Sequence, residues 1–385
     1  MPTKPSLTPR KLFHLAHLWL GLILCVPLVL LGLTGTILVF EHDFQPTAHL
    51  TAGTPQPIAA IIAAAVKVAP EHQTASLYIP PSEDNPMAVV RFSAGGREGG
   101  QGGGGRGGPG GFGAQILVDP VSLDTSAAVP SGLMRQVHLL HGNLLMAGRT
   151  GRSIIGWLGV AMVIMGVSGL VIWWPRPGRW AAAFSVGRGA NGVRLHRELH
   201  GAVGIWGLIV FLIVSVTGVY LAFPETMGGL LGIDANAAPP KVQPEADARA
   251  LDADGAVTLA KTAMPGGTPR SLGLPARPDQ PYRVMLIRPG NTAGAPPVTV
   301  FVDPWTAAVI ETRDPAARGL GPKLAAWEHA THAGQGLGPV WHILAGLSGL
   351  LPAVFTVTGI SMWVMKRRAR ARVTGAKGVN MMAAE

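Results

Sequence analysis

Two stretches of the chain open on the same histidine pattern. HLWLG (17–21) sets Gly21 one helical turn after His17, and HGAVG (200–204) sets Gly204 one turn after His200. Each is followed at the same interval by a Thr-Gly pair, Thr34-Gly35 and Thr217-Gly218. Two more clusters, HLLHG with His138 and His141 and HATHA with His329 and His332, precede apolar stretches that end alike, SGLVIWW (168–174) and TGISMWV (358–364). Two imidazoles at equal depth on neighbouring helices suit the two faces of a haem iron. A glycine one turn along leaves space for a flat macrocycle. His14, His196 and His342 lie near the same segment ends. An interfacial imidazole hydrogen-bonded to the next helix explains any one of these residues equally well; the recurrence is what points to ligation.

Other chemistries fit less well. Glu328 with His329 and His332 suggests a zinc site, but the HExxH arrangement is absent, as is a GxSxG elbow. Cys25 is the only cysteine, which excludes an intrachain disulfide and any CxxC or CxxCH site.

The elements that must position these histidines are membrane spans. Charged residues make up 14% of the 385 residues and hydrophobic ones 48%, against about 25% charged in an ordinary soluble domain. Residues 18–40, 153–174, 201–223 and 341–365 are each long and apolar enough to cross a bilayer, for which about 20 residues are needed. Pro27 kinks the first, and membrane helices tolerate that. The first is too long for a signal-peptide core and is expected to stay as an anchor.

Charge sets the expected orientation. Lys4, Arg10 and Lys11 precede the first span, five arginines fill the 175–200 link, and Lys366 to Lys377 follow the fourth span. By the positive-inside rule residues 1–17, 175–200 and 366–385 are cytoplasmic, and 41–152 and 224–340 are periplasmic modules. Of the acidic residues only Glu198 and Glu385 fall on the cytoplasmic side. The net charge of +10 is therefore spent beside the membrane, and no nucleic-acid motif accompanies it.

The two halves repeat each other. SLYIPPSEDNPMAVVRF (76–92) matches SLGLPARPDQPYRVMLI (271–287), and ILVDPVS (116–122) matches VFVDPWT (300–306). Each outer segment is expected to hold a helix, 58–70 or 256–266, and a meander of strands turning at Asp119-Pro120 or Asp303-Pro304. The Gly-rich stretch 95–113 reads as a flexible loop without a dinucleotide fingerprint.

The layout predicts two haem groups, one near each membrane face, since a single one leaves half of the repeated histidines unused. His17 and His200 are the inner axial ligands. The outer pair is drawn from His138 or His141 and from His329, His332 or His342. His138 to Trp174 is too long for one crossing, so 137–147 is expected as an interfacial helix broken at 147–153. Arg149 and Arg152 there suit haem propionates or lipid headgroups. Trp173, Trp174, Trp341 and Trp363 read as interfacial belt residues.

RLHRELHGAVG (194–204), LVIWWPRPGRW (170–180) and the two Asp-Pro turns give the chain, from about residue 10 to 370, a pattern that resembles the PepSY-associated transmembrane family. The resemblance implies a membrane protein with a duplicated four-transmembrane-helix bundle and two extracytoplasmic PepSY-like α+β modules. It is nearest the iron-uptake branch of ferric-siderophore reductases, which implies haem b held by membrane histidines in the bacterial inner membrane. His17, His200, His141 and His332 occupy the matching positions. The chain departs from the pattern in the fourth unit, where GLGPVWH (336–342) adds His342. The implied partners are a ferric siderophore, a quinol or cytoplasmic reductase as electron donor, and the lipid bilayer, without nucleic acid. Two competing readings are haem-based electron transfer to another periplasmic acceptor and a non-redox protein that binds or regulates peptidases through its PepSY modules.

Overall fold

A computed structural model of the chain describes residues 8–41, 51–69, 75–82, 86–93, 112–127, 132–146, 148–233, 238–245, 250–292 and 294–382. His42, His49, His72 and the Gly-rich stretch up to residue 111 lie outside them. The first half contains α1 (Pro9–Val39), α2 (Ile58–Val68), β1 (Ala75–Ile79), β2 (Ala88–Ser93), β3 (Phe112–Val118), β4 (Thr125–Ala127), α3 (Gly132–Asn143) and α4 (Thr150–Trp173). After the short α5 (Trp180–Ala183), the second half contains α6 (Gly192–Ala222), α7 (Pro224–Leu230), α8 (Ala253–Ala263), β5 (Thr268–Gly273), β6 (Tyr282–Ile287), β7 (Val298–Asp303), β8 (Ala308–Arg313), α9 (Leu320–His332), α10 (Pro339–Ser348) and α11 (Leu351–Met382).

Helices α1, α4, α6 and the consecutive pair α10–α11 are long and apolar enough to cross a membrane. α1 and α6 each pack against both α4 and α11, so the four close a ring. Glycines let them approach: a Cβ on Gly156 would collide with Phe223, and one on Gly166 would lie 2.7 Å from Leu212. Small residues drive such packing where lipid gives helices no hydrophobic reason to associate.

Segment ends differ from the expected ones. α1 begins at Pro9, a residue that suits a first helical turn, so His14 and His17 share the helix that continues into the span. α6 begins at Gly192 and takes in His196 and His200 likewise. The fourth apolar stretch is two helices rather than one. Pro352 has no N–H to carry the ladder of α10 onward, and Gly349 packs against the α1 backbone, where a Cβ would meet Thr36 Oγ1 and the Gly32 carbonyl. Thr36 Oγ1 also donates to the Gly346 carbonyl at 2.8 Å. The helix expected over 137–147 is α3, which ends before residue 147 because Leu144 and Leu145 turn left-handed, with φ of 51° and 58°.

Among the described residues the strands of the two expected modules, β1–β4 and β5–β8, join side by side in one eight-stranded antiparallel sheet, β4-β3-β2-β1-β5-β6-β7-β8. The junction is short: Leu77 faces Gly273 and Tyr78 faces Leu272. α2 and α8 lie on one face over Phe92, Leu272, Val284, Leu286 and Val300, all almost fully buried. They are linked by Asp254 of α8, whose carboxylate accepts from Ile58 N at 2.8 Å and Ala59 N at 3.0 Å. Those are the orphan donors that open α2. Asp119 and Asp303 make the expected turns: Oδ1 of Asp119 accepts from Val121 N at 2.8 Å, and Oδ1 of Asp303 accepts from Trp305 N at 2.8 Å.

Candidate functional site: two histidine pairs in the bundle

Near the α1 start and α11 exit of the bundle, His17 of α1 and His200 of α6 face each other with ring centroids 6.2 Å apart. Towards the sheet end, His141 of α3 and His332 of α9 are paired at 6.1 Å. α3 and α9 are short helices beside α1 and α6 respectively, and they deliver these rings sideways against the spanning helices. His17 precedes Thr34-Gly35, where His141 docks, by 17 residues, which puts the two pairs about 25 Å apart along the bundle at 1.5 Å per residue.

Each ring is held by a hydroxyl of its own half of the chain. His17 Nδ1 lies 2.9 Å from Ser168 Oγ, and His200 Nδ1 lies 2.7 Å from Thr358 Oγ1. His141 Nδ1 lies 3.0 Å from Thr34 Oγ1, and His332 Nδ1 lies 3.3 Å from Thr217 Oγ1. The hydroxyl hydrogens are already committed. Thr358 donates to the Val354 carbonyl at 2.7 Å, Thr34 to Leu30 at 2.7 Å, Thr217 to Ile213 at 2.8 Å and Ser168 to Met165 at 3.2 Å. A hydroxyl has one hydrogen to give, so each oxygen accepts from Nδ1–H. Backbone carbonyls, which only accept, agree for the sheet-end pair: His141 Nδ1–H also donates to Leu31 O at 3.1 Å and His332 Nδ1–H to Val214 O at 2.9 Å. Nε2 is left as the unprotonated nitrogen of all four rings.

The residue after each hydroxyl is glycine, and the ring rests on it. A Cβ on Gly35 would lie 3.0 Å from His141 Cε1, and one on Gly218 would lie 2.9 Å from His332 Cε1. The fit is looser at the other pair, 3.4 Å from Gly169 to His17 and 3.9 Å from Gly359 to His200.

His17 and His200 line a cavity of about 870 Å³, a size that suits a cofactor. Gly21 and Gly204, the turn-mates of the two histidines, are on its wall, and the lining is mainly apolar. Arg197, Lys366, Arg367 and Arg370 stand on the same lining, as do His14 and one acid, Glu198, which is paired with Arg194. The cavity thus joins a pair of neutral imidazoles to an apolar slot with cations at one end.

The residue types and spacing fit haem. A metal–imidazole bond is about 2 Å, so two in line across one iron set the nitrogens about 4 Å apart and the ring centroids about 6 Å apart. Both observed pairs match that separation. Nδ1–H anchored to oxygen is the arrangement that orients a ligating histidine. Among the described residues no group of three or more His, Cys, Asp or Glu is gathered to hold a metal ion, so the Glu328, His329 and His332 stretch does not assemble as a zinc site.

The remaining histidines and arginines stand elsewhere. His138 is half-exposed and lies 3.5 Å from Glu41. His342 donates Nδ1–H to Gly334 O at 3.2 Å and sets its ring edge-on to Phe40 at 5.2 Å. His329 is one turn before His332 on α9. His196 has its Nδ1 buried without a hydrogen-bond partner. Arg149 lies 3.5 Å from Glu225 at the surface. Arg152 Nε donates to the Leu221 carbonyl at 3.2 Å, near the C-terminal end of α6. Trp341 Nε1–H donates to Thr331 O at 3.0 Å, and Trp173 lines the cavity. The hydroxyls Thr34, Ser168, Thr217 and Thr358 carry no role in the sequence reading; the recurrence of Thr-Gly and Ser-Gly was their only signal.

Among curated proteins none matches the chain. The sequence profile of a family described as PepSY-associated TM region matches residues 14–366, a stretch that takes in all four paired histidines, their hydroxyl partners and the sheet. The chain belongs to this family of PepSY-associated transmembrane proteins.

Proposed function

We propose that the chain is a two-haem b electron-transfer protein of the bacterial inner membrane, built by duplication, that reduces siderophore-bound ferric iron on the periplasmic side. One observation carries the reading: two imidazole pairs, at 6.2 Å and 6.1 Å, each joining one half of the chain to the other, with Nδ1 tied back and Nε2 left for iron. In the orientation expected from the charges, His17 and His200 lie near the cytoplasm, and the sheet and the His141–His332 pair lie outside.

Haem iron, when bound, supplies reversible one-electron chemistry. The chain's part is to hold, orient and insulate. His17 and His200 would hold the inner group and His141 and His332 the outer one. Arg197, Lys366, Arg367 and Arg370 would neutralise carboxylates at the cytoplasmic mouth. The apolar walls keep water from the slot and set a low dielectric around it. An electron moving outward is driven by the membrane potential, by about 2.3 kcal/mol per 100 mV. The donor is a quinol or a cytoplasmic reductase. The acceptor takes one electron per ferric ion, and the ferrous ion that results is a poorer match for hard oxygen ligands and leaves them.

The test is the reduced-minus-oxidised spectrum of the purified protein, with haem counted by pyridine haemochrome. The expected result is a b-type band and about two haems per chain. Reduced protein mixed with a ferric siderophore should release iron to a ferrous chelator. A colourless preparation overturns the haem reading, and a coloured one that the siderophore does not reoxidise overturns the choice of acceptor.

A further inference from the structure

The four hydroxyls are not equivalent, and the difference bears on what the two sites do. His141 and His332 each have a carbonyl acceptor besides the hydroxyl, Leu31 O at 3.1 Å and Val214 O at 2.9 Å. For His17 the acceptor is the Ser168 hydroxyl, at 2.9 Å. For His200 the one acceptor of Nδ1–H among the described residues is Thr358 Oγ1, at 2.7 Å, the shortest of the four hydroxyl contacts. Thr358 is buried, 4% exposed, and its own hydrogen is used on Val354, so it acts on His200 purely as an acceptor.

We propose that Thr34, Ser168, Thr217 and Thr358 are positioning residues for the iron ligands, and that Thr358, which makes the shortest of the four contacts without a carbonyl beside it, sets the tautomer and donor strength of its histidine. The proposal rests on the two-haem reading. An oxygen accepting from Nδ1–H makes Nε2 a stronger electron donor, and a stronger donor favours ferric over ferrous iron. Removing the acceptor therefore raises the reduction potential. Where a carbonyl remains, the ring keeps its tautomer and the change is small.

The arrangement is also divided between the halves in a particular way. Each hydroxyl bond stays within one half of the chain: His17 with Ser168, His141 with Thr34, His200 with Thr358, His332 with Thr217. Each imidazole pair crosses between halves. One half thus prepares one ligand for each site, and a haem held there would join it to the other half.

The experiment is an optical redox titration of the purified holoprotein and of four variants, with haem counted in each. Thr358→Val keeps the side-chain shape and removes the oxygen. It is expected to shift the Fe(III)/Fe(II) ratio of one haem about tenfold towards ferrous at fixed poise, about 59 mV for one electron. Thr358→Ser, which keeps the oxygen, should restore the wild-type potential. Thr34→Val and Thr217→Val should move the other haem less than about twofold, because the carbonyls remain. Loss of one haem in Thr358→Val that Thr358→Ser restores also supports the proposal. Equal shifts in all three valine variants, no shift in any, or a serine variant that behaves like valine overturns it. Wild-type protein without haem overturns the two-haem reading itself, a result distinct from these.

Discussion

Gly218 of α6 supports the imidazole of His332: a Cβ at that position would lie 2.9 Å from Cε1, and one at Gly35 would lie 3.0 Å from the corresponding atom of His141. Both histidines come from helices that do not cross the bundle, so the spanning helices act as flat seats against which the rings are pressed. The seat needs a residue without a side chain for steric reasons alone, since Gly35 and Gly218 are ordinary helical residues.

A methyl group on either seat should therefore displace a ring. In Gly218→Ala the contact is too close for both groups to stay, and His332 must swing from the line that joins it to His141. The expected outcome is loss of one of about two haems per chain, with the other retained. Gly359→Ala is the matched control, because its Cβ would lie 3.9 Å from His200 Cε1, an ordinary contact, and it should keep both. Haem counts and the amplitudes in a redox titration check this; equal haem content in the two variants would sink it.

Much of this site could be read from spacing. His17 and His200 stand out because the same histidine-to-glycine interval recurs, and the helices that carry them follow from apolar length. His141 and His332 stand out only through the family resemblance; spacing by itself leaves His138, His329 and His342 beside them, because the choice depends on which side of α3 and α9 turns to the bundle. Only packing decides that. The role of Thr358 was hidden for a related reason: its partner is 158 residues away, so a Thr-Gly pair in an apolar helix reads as helix packing. The single sheet was equally out of reach. β1 and β5 meet through two register pairs, and nothing in the two matching outer segments tells that their first strands lie side by side.

The turn between β3 and β4 depends on an ionised carboxylate. Burial by itself would raise the pKa of Asp119, but hydrogen bonds from the Thr51 hydroxyl, Val121 N, Thr51 N and Ser122 N outweigh it and hold the group at about 2. The folded value lies below the unfolded one of about 3.9, so the stabilisation is fully present above that unfolded value. It is lost as pH falls through the folded value. Asp119→Asn should lower the apparent unfolding temperature of the full chain in detergent by the same amount at every pH above about 5. The gap between variant and wild type should narrow below about pH 4 and nearly close by about pH 2. A gap that stays constant down to that pH would show that ionisation of Asp119 contributes nothing.

The orientation assigned from charge has its own consequence for chemical access. Thr306 follows the Asp303 turn at an exposed position on the sheet, and Arg188 is exposed in the link between α4 and α6. In a Cys25→Ala background, a cysteine placed by Thr306→Cys should react with a membrane-impermeant thiol reagent added to intact spheroplasts. One placed by Arg188→Cys should react only after the membrane is opened. The reason is electrostatic: Arg176, Arg179, Arg188, Arg194 and Arg197 crowd the α4–α6 side, where Glu198 is the one nearby acid and is already engaged by Arg194 at 2.7 Å. Such a surplus of positive charge resists translocation, whereas the acids of the sheet do not. Labelling of the Arg188→Cys protein from outside, with Thr306→Cys protected, would invert the protein. Siderophore reduction would then have to be sought at the opposite membrane face.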